Sequence, residues 1–87
     1  MTKEEEIYHL IQIERTLQNH KWGTQNHDPL YWLGILMEEV GEVAKALIEH
    51  NQSYSEVNEE LIQVAAVAVA MIDSINRNQR KEQNIYE

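Results

Sequence analysis

"GILMEEVGEVAKALIEH", residues 34–50, and "EELIQVAAVAVAMID", residues 59–73, are the two stretches that decide the fold. In the first, apolar residues recur every three or four positions, which is the period of an α-helix. In the second, Leu61 to Ile72 is apolar except at Gln63, and neither glycine nor proline interrupts it. Both stretches predict helices, and both carry adjacent glutamates whose purpose is not explained by helix formation.

A first helix is predicted at the start of the chain. Thr2 and Glu5 have the spacing of a capping box, so this helix should begin at the N-terminus and end near Asn19. The next segment, "HKWGTQNHDP" at residues 20–29, contains a glycine, a Gln-Asn pair and the only proline of the chain. That composition predicts a loop.

Two more helices are predicted after this loop. Asp-Pro at 28–29 is typical of an N-cap followed by proline in the first turn, and the second helix should run to about His50. Ser53 and Glu56 repeat the capping-box spacing, and the third helix should run to about Asn76. The predicted fold class is therefore all-α, with three main helices per chain.

The second helix is predicted to have one apolar side and one acidic side. An advance of about 100° per residue gathers its apolar residues into one stripe: Leu33, Leu36, Met37, Val40, Val43, Ala44 and Leu47. Glu38, Glu42, Lys45 and Glu49 fall on the opposite side, with Glu39 at the border. Gly34 and Gly41 are expected to permit close contact with another helix.

The third helix is apolar almost all round, and such a helix must be buried on nearly every side. Two partner helices of the same chain cannot cover it, so we expect a helical bundle that is completed by dimerisation. The alternative is that the C-terminal tail folds back over it, but that tail has little apolar surface. We divide the chain into a single helical domain, residues 1–76, and a polar C-terminal tail, residues 77–87.

Composition limits the function. A net charge of −8 argues against a nucleic acid polymer as partner, because phosphate backbones are bound by surplus Lys and Arg. There is no cysteine for a disulfide or a thiolate metal site. The N-terminus lacks the apolar core of a signal peptide, and Leu61–Ile72 is shorter than the roughly 20 residues that cross a bilayer. We therefore expect a cytoplasmic protein without a membrane partner.

The clustered glutamates allow two interpretations. Solvated helix faces are the more common one, yet like charges three or four positions apart cost roughly 0.2–0.5 kcal/mol per pair. The other interpretation is a metal site with Glu39 and Glu42 from the second helix and Glu60 and Gln63 from the third. Ligands that are all oxygen select hard cations, Mg²⁺ or Mn²⁺. A di-iron site is disfavoured, because neither helix has a histidine three residues after a glutamate.

"EEVGEVAKAL" followed by "EELIQVAAVAVAMI" resembles the MazG-type all-α nucleoside triphosphate pyrophosphatases. That family carries Glu-x-x-Glu on one helix and Glu-x-x-Asp on the next, around Mg²⁺. The resemblance implies hydrolysis of (deoxy)nucleoside triphosphates to monophosphate and pyrophosphate by a dimer or a dimer of dimers. It assigns metal binding to Glu39, Glu42 and Glu60, and it places Gln63 where the family has Asp.

The resemblance also extends to "WGTQNHDP", since some family members have Trp and His near the nucleotide in a similar segment. We therefore expect Trp22 to stack on a base and His27 to bind a base edge or a phosphate, although ordinary packing or exposure is an alternative for each. Lys45 is either a salt-bridge partner of Glu42 or a phosphate contact. The expected catalytic residues are Glu38 and Glu42.

Three functions remain open on the sequence. The first is a Mg²⁺-dependent nucleotide pyrophosphatase. The second is a MazG-like module that binds a nucleotide or a protein with weakened catalysis, because Gln63 brings no charge to the metal site. The third is a purely structural helical dimer, which explains the apolar third helix but not the clustered carboxylates.

Overall fold

A computed structural model describes the backbone of residues 1–49 and 53–86, and the side chains of residues 1–49 and 53–79. It contains three helices: α1 at Lys3–Trp22, α2 at Pro29–Ile48 and α3 at Tyr54–Tyr86. No strand occurs in these ranges. The prediction of an all-α fold with three main helices is confirmed.

The helix starts are as predicted. The Glu5 N–H donates to Thr2 Oγ1 and the Thr2 N–H donates to Glu5 Oε1, each at 3.1 Å. Asp28 caps α2 by accepting a hydrogen bond from the Leu30 N–H at 3.1 Å. Before α3, the Glu56 N–H donates to Ser53 Oγ at 3.3 Å and the Ser53 N–H donates to Glu56 Oε2 at 3.2 Å. A short polar side chain therefore accepts from one of the free N–H groups at the start of each helix.

Two helix ends were predicted wrongly. α1 continues three residues beyond Asn19 to Trp22, and Gly23 ends it with a φ of +73°. α3 continues ten residues beyond Asn76 to Tyr86, so the segment expected as a frayed tail is helical through Tyr86. That segment has no glycine or proline to stop the helix, and Gln, Arg, Lys and Glu are good helix formers. The predicted end of the second helix, His50, lies outside the described residues.

α3 is the central element. It packs against both α1 and α2, whereas α1 and α2 do not pack on each other. The buried core lies where α2 meets α3 and consists of Trp32, Val67 and Ala70, with Ile35, Leu36 and Met71 packed against it. The result is a groove between α1 and α2, with α3 as its floor.

The face of α2 that packs differs from the predicted stripe. Its buried or half-buried residues are Trp32, Ile35, Leu36, Glu39, Val43 and Ala46. Leu33, Met37, Val40 and Leu47, which were expected in the core, are exposed. α2 is apolar over a wider arc than one neighbour can cover, and α3 covers the side that carries Trp32. Because α3 covers this side and not the predicted stripe, Glu39 lies on the packing face and not at its border.

Much apolar surface is left uncovered within one chain. On α3, Leu61, Val69 and Ile72 are exposed, on the helix that was expected to be buried all round. A Cβ added at Gly34 or Gly41 would meet nothing within 4 Å, so the described residues provide no close helix neighbour there. None of the helices, as far as the structure describes them, is long and apolar enough to span a membrane.

Candidate functional site

Glu39 is the central side chain of the candidate site. It is half-buried on the packing face of α2, and its Oε2 atom is buried without a hydrogen-bond partner among the residues that the structure describes. Glu38 and Glu42 come from the same helix but are exposed. A buried polar atom without a partner is uncommon in folded proteins and indicates a missing ligand, ion or water.

Burial and four neighbouring carboxylates raise the pKa of Glu39. Burial is the largest cause, followed by the negative charges of Glu60, Glu42, Glu14 and Glu38. These neighbours come from all three helices, so the fold brings acidic side chains together around Glu39. Like charges that face each other disfavour ionisation, and a bound cation would remove that penalty.

The four predicted metal ligands line two adjoining depressions. Glu39 and Gln63 line the groove between α1 and α2. Glu42 and Glu60 line an acidic cleft between α2 and α3. The negative charges of Glu60 and Glu42 contribute to the raised pKa of Glu39, so the two depressions lie close to each other.

The acidic cleft has a volume of about 280 Å³ and a strong excess of negative charge. Its glutamates are Glu42, Glu49, Glu56, Glu59 and Glu60, and its cationic residue is Lys45. Lys45 was considered as a salt-bridge partner of Glu42, but no ion pair joins the two in the part of the chain that the structure describes. Both interpretations of Lys45, as a partner of Glu42 and as a phosphate contact, stay predictions.

The groove between α1 and α2 has a volume of about 260 Å³ and a mixed lining. Trp22, in the last turn of α1 rather than in the loop, is 56 % exposed there. The Lys21 ammonium lies 4.7 Å from the centre of its ring, within range of a cation–π interaction. An indole and an ammonium beside a carboxylate cluster are suited to a ligand with an aromatic base and phosphates.

Sequence reasoning missed Glu14, Lys21 and Gln25, which also line the groove. Glu14 did leave a signal, because it stands at a helical-spacing position among the apolar residues of α1. Its contribution to the pKa of Glu39 places it at the same cluster. Lys21 and Gln25 join the groove only because α1 extends to Trp22 and the following loop folds back.

His27 packs against aromatic rings and is not part of the groove lining. Its ring centre lies 4.5 Å from that of Tyr31 and 5.0 Å from that of Trp32. It is half-buried, and its Nε2 atom is buried without a hydrogen-bond partner. The structure therefore places His27 behind Trp32, and a contact between His27 and a nucleotide stays a prediction.

The donor chemistry fits a hard cation, although the side chains are not assembled around one. No group of three or more His, Asp or Glu side chains within residues 1–49 and 53–79 is already arranged to hold a metal ion. The available donors are carboxylate and amide oxygens, which Mg²⁺ prefers, and Glu39 Oε2 lacks a partner. Binding would require Glu42 and Glu60 to turn from the acidic cleft toward Glu39.

Comparisons with family models, with curated proteins and with solved structures gave no match. The resemblance to MazG-type pyrophosphatases therefore depends on the sequence motif, and the function inferred from it is a proposal.

Proposed function

We propose that this protein hydrolyses a (deoxy)nucleoside triphosphate to the monophosphate and pyrophosphate with Mg²⁺, or Mn²⁺, as cofactor. The observation that carries the proposal is Glu39. Its unpartnered carboxylate oxygen lies among acidic side chains from three helices, beside a groove that presents Trp22. Carboxylates gathered at this cost are explained by a cation that bridges them to phosphate.

The side chains divide among metal binding, proton transfer and substrate binding in this proposal, with Glu42 a candidate for the first two. Glu39, Glu42, Glu60 and Gln63 hold the ion, which neutralises charge on the phosphates. Glu38 or Glu42 accepts the proton of the attacking water. The water oxygen bonds to a phosphorus next to the α–β bridge, the bridging P–O bond breaks, and the products are the nucleoside monophosphate and pyrophosphate. Trp22 stacks on the base, while Lys45 and His27 are the proposed phosphate or base contacts.

A pyrophosphate-release assay across the common (d)NTPs with Mg²⁺ or Mn²⁺ tests this function. We expect turnover in the wild type and a loss of about 100-fold or more in Glu39→Ala and Glu42→Ala, with the helical circular-dichroism signal retained. Glu6→Gln, an exposed carboxylate on α1, is the matched control and should keep full activity. Absence of turnover with every nucleotide and both ions would refute the proposed pyrophosphatase activity.

A nucleotide-binding module with weakened catalysis is the second candidate. It is favoured by Gln63, a neutral side chain that lines the groove beside Glu39, and by the lack of a preassembled metal group among the described side chains. The same assay separates the two, because the module would bind a (d)NTP in calorimetry without releasing pyrophosphate.

We further infer that the protein works as a homo-oligomer, a dimer or a dimer of dimers. The chain exposes 6911 Å², whereas a folded monomer of 10.2 kDa is expected to expose about 5,300 Å². Large apolar side chains are among the exposed residues, and Leu30 and Met37 on α2 and Ile72 on α3 are more than half exposed. Large exposed apolar patches mark interaction surfaces.

A further inference from the structure

A third and smaller pocket, distinct from the acidic cleft and the groove, lies where α1, α3 and the loop at residues 23–28 meet. Trp32 forms part of its wall. Its volume is about 100 Å³, the share of roughly three water molecules in the liquid. Its polar lining includes Arg15, Asn19, Gln25, Asp73 and Arg77. The pocket contains none of the carboxylates that are proposed to bind metal.

Two guanidinium groups are held at this pocket from opposite helices. Arg15 on α1 donates to Gln18 Oε1 at 2.8 Å and to Asn19 Oδ1 at 2.7 Å. Arg77 on α3 donates to the Asp73 carboxylate and, at 2.8 Å, to the Gln25 carbonyl oxygen. A guanidinium has five N–H donors, so bonds between described residues leave three donors on each arginine. Both groups are positioned and still able to donate.

Trp32 also lines the pocket and carries a further donor. It is 2 % exposed, and its Nε1–H group is buried without a hydrogen-bond partner among the described residues. Indole nitrogen can only donate. Buried donors in folded proteins almost always have an acceptor, and the described residues provide none for the Trp32 Nε1–H.

The charge balance favours an anion here, in a chain whose net charge is −8. Two arginines and one aspartate line the pocket, which leaves one positive charge in excess. Arginine pairs with phosphate through two parallel N–H···O bonds. We propose that this pocket binds a phosphate-class oxyanion, held by Arg15 and Arg77 beside Trp32 in the pocket wall.

The oxyanion has two sources. It is either free phosphate or pyrophosphate, or the terminal phosphoryl group of a nucleotide in the adjoining groove, because Trp32 and Gln25 line both depressions. The alternative is a purely structural role, in which Arg77 holds the loop against α3 through Gln25 and the pocket binds no ligand. The proposal does not depend on hydrolysis, since it uses none of the proposed metal ligands.

Nitrogen-15 NMR of the two tryptophan indole groups in metal-free, phosphate-free buffer tests the site, with Trp22→Phe used to assign the signals. Phosphate, pyrophosphate and a nucleoside triphosphate are titrated separately. We expect at least one of them to shift the Trp32 indole signal saturably. A response to phosphate or pyrophosphate identifies a free-anion site, and a response to the triphosphate alone identifies a nucleotide's terminal group.

Arg15→Gln should weaken that binding about tenfold or more, while its backbone spectrum stays that of the folded protein. Arg15→Lys keeps the charge but loses the paired N–H donors of the guanidinium. Its affinity for the anion should lie between those of Arg15→Gln and the wild type. Lys3→Gln, an exposed cation at the start of α1, should bind like the wild type. No saturable shift with any of the three ligands, or equal affinity in Arg15→Gln, would overturn the proposal. Neither result would bear on pyrophosphate release.

Discussion

At the scale of single residues, Glu39 combines two costs. Its carboxylate is half-buried, and it faces like charges from Glu60, Glu42, Glu14 and Glu38. Helix packing alone would be served better by an apolar residue at this position of α2. The same features favour a bound cation, so metal-free stability and metal binding should respond in opposite directions to changes at Glu39.

Without metal, Glu39→Gln should stabilise the protein at pH 8. The folded-state pKa of Glu39 is raised above the ordinary value of about 4.3. The folded state therefore holds the proton to higher pH than the unfolded state, and stability falls as the pH rises through that window. Relief of roughly 0.2–0.5 kcal/mol per like-charge contact corresponds to about 1–4 °C in melting temperature.

The melting temperatures of wild type and Glu39→Gln should converge as the pH falls toward the ordinary glutamate value. Glu59→Gln, which removes an exposed charge from the acidic cleft, is the matched control and should show a smaller difference. A Glu39→Gln protein that is less stable than wild type at pH 8 would contradict the electrostatic account.

Gln63→Asp should tighten Mg²⁺ binding roughly tenfold, because hard cations reward anionic oxygen. Gln63 lines the groove with Glu39, so the added carboxylate should also lower the melting temperature of the metal-free protein. Calorimetry and melting curves measure the two effects, with Gln12→Asp on the exposed side of α1 as the control for added charge. Unchanged Mg²⁺ affinity would remove Gln63 from the ion's ligands.

At the scale of elements, the loop at residues 23–28 sets the geometry of two sites. These are the groove between α1 and α2 and the pocket that contains Arg15 and Arg77. Ser74 Oγ donates to Asn26 Oδ1 at 3.2 Å, and Arg77 donates to the Gln25 carbonyl oxygen, so two side chains of α3 fasten this loop. Gly23 begins it, and its N–H donates to the Asn19 carbonyl oxygen at 2.8 Å. The position of Trp22 and the lining by Gln25 both depend on this turn.

Gly23→Ala should destabilise the protein by about 1–3 kcal/mol, because its backbone combines φ +73° with ψ −177°, a region that side chains rarely adopt. The expected loss in melting temperature is about 4–8 °C per kcal/mol. Thr24→Ala, at the next residue with ordinary backbone, should melt like the wild type. Equal melting temperatures for both variants would show that the turn does not require glycine.

The helices and their starts could be predicted because their signals are local: Thr2 with Glu5, and Ser53 with Glu56, lie within one turn of each other. The packing face of α2 could not be predicted, because the apolar residues of α2 span a wider arc than α3 covers. Periodicity alone does not say which part of that arc, here the part with Trp32, packs against α3. The motif led us to expect Glu42 and Glu60 near Glu39, and both contribute to its raised pKa, whereas a metal site made of these residues stays a prediction. The position of Glu14 near Glu39 depends on how α1 packs against α3, and no short stretch of sequence encodes that packing.

At the scale of the whole molecule, the single chain is elongated and incompletely covered. Its radius of gyration is 15.3 Å, compared with about 12 Å for a compact domain of this length. α3, with 33 residues, accounts for the length. The buried cluster around Trp32 is small and adds only Val67 and Ala70, so much of the apolar surface of α2 must find a partner elsewhere or remain in water.

We predict that the exposed apolar face of α2, which includes Leu33, Met37 and Val40, is covered by a second copy. Gly34 and Gly41 lie seven residues apart among these positions with nothing within 4 Å of an added Cβ, so a partner helix can approach closely. Glycine inside a helix costs about 1 kcal/mol relative to alanine, and close approach explains its presence.

Sedimentation at micromolar concentration should therefore show a dimer or larger assembly for the wild type and a shift toward monomer for Met37→Glu, which places a charge in that face. Gln12→Glu adds the same charge to an exposed position on α1 and should sediment like the wild type. Gly41→Ala separates packing from charge: it should weaken association if helices meet there and stabilise the chain by about 1 kcal/mol if they do not. A wild type that is a stable monomer would end the prediction, and a dimer that survives Met37→Glu would move the interface to the exposed Leu61 and Ile72 of α3.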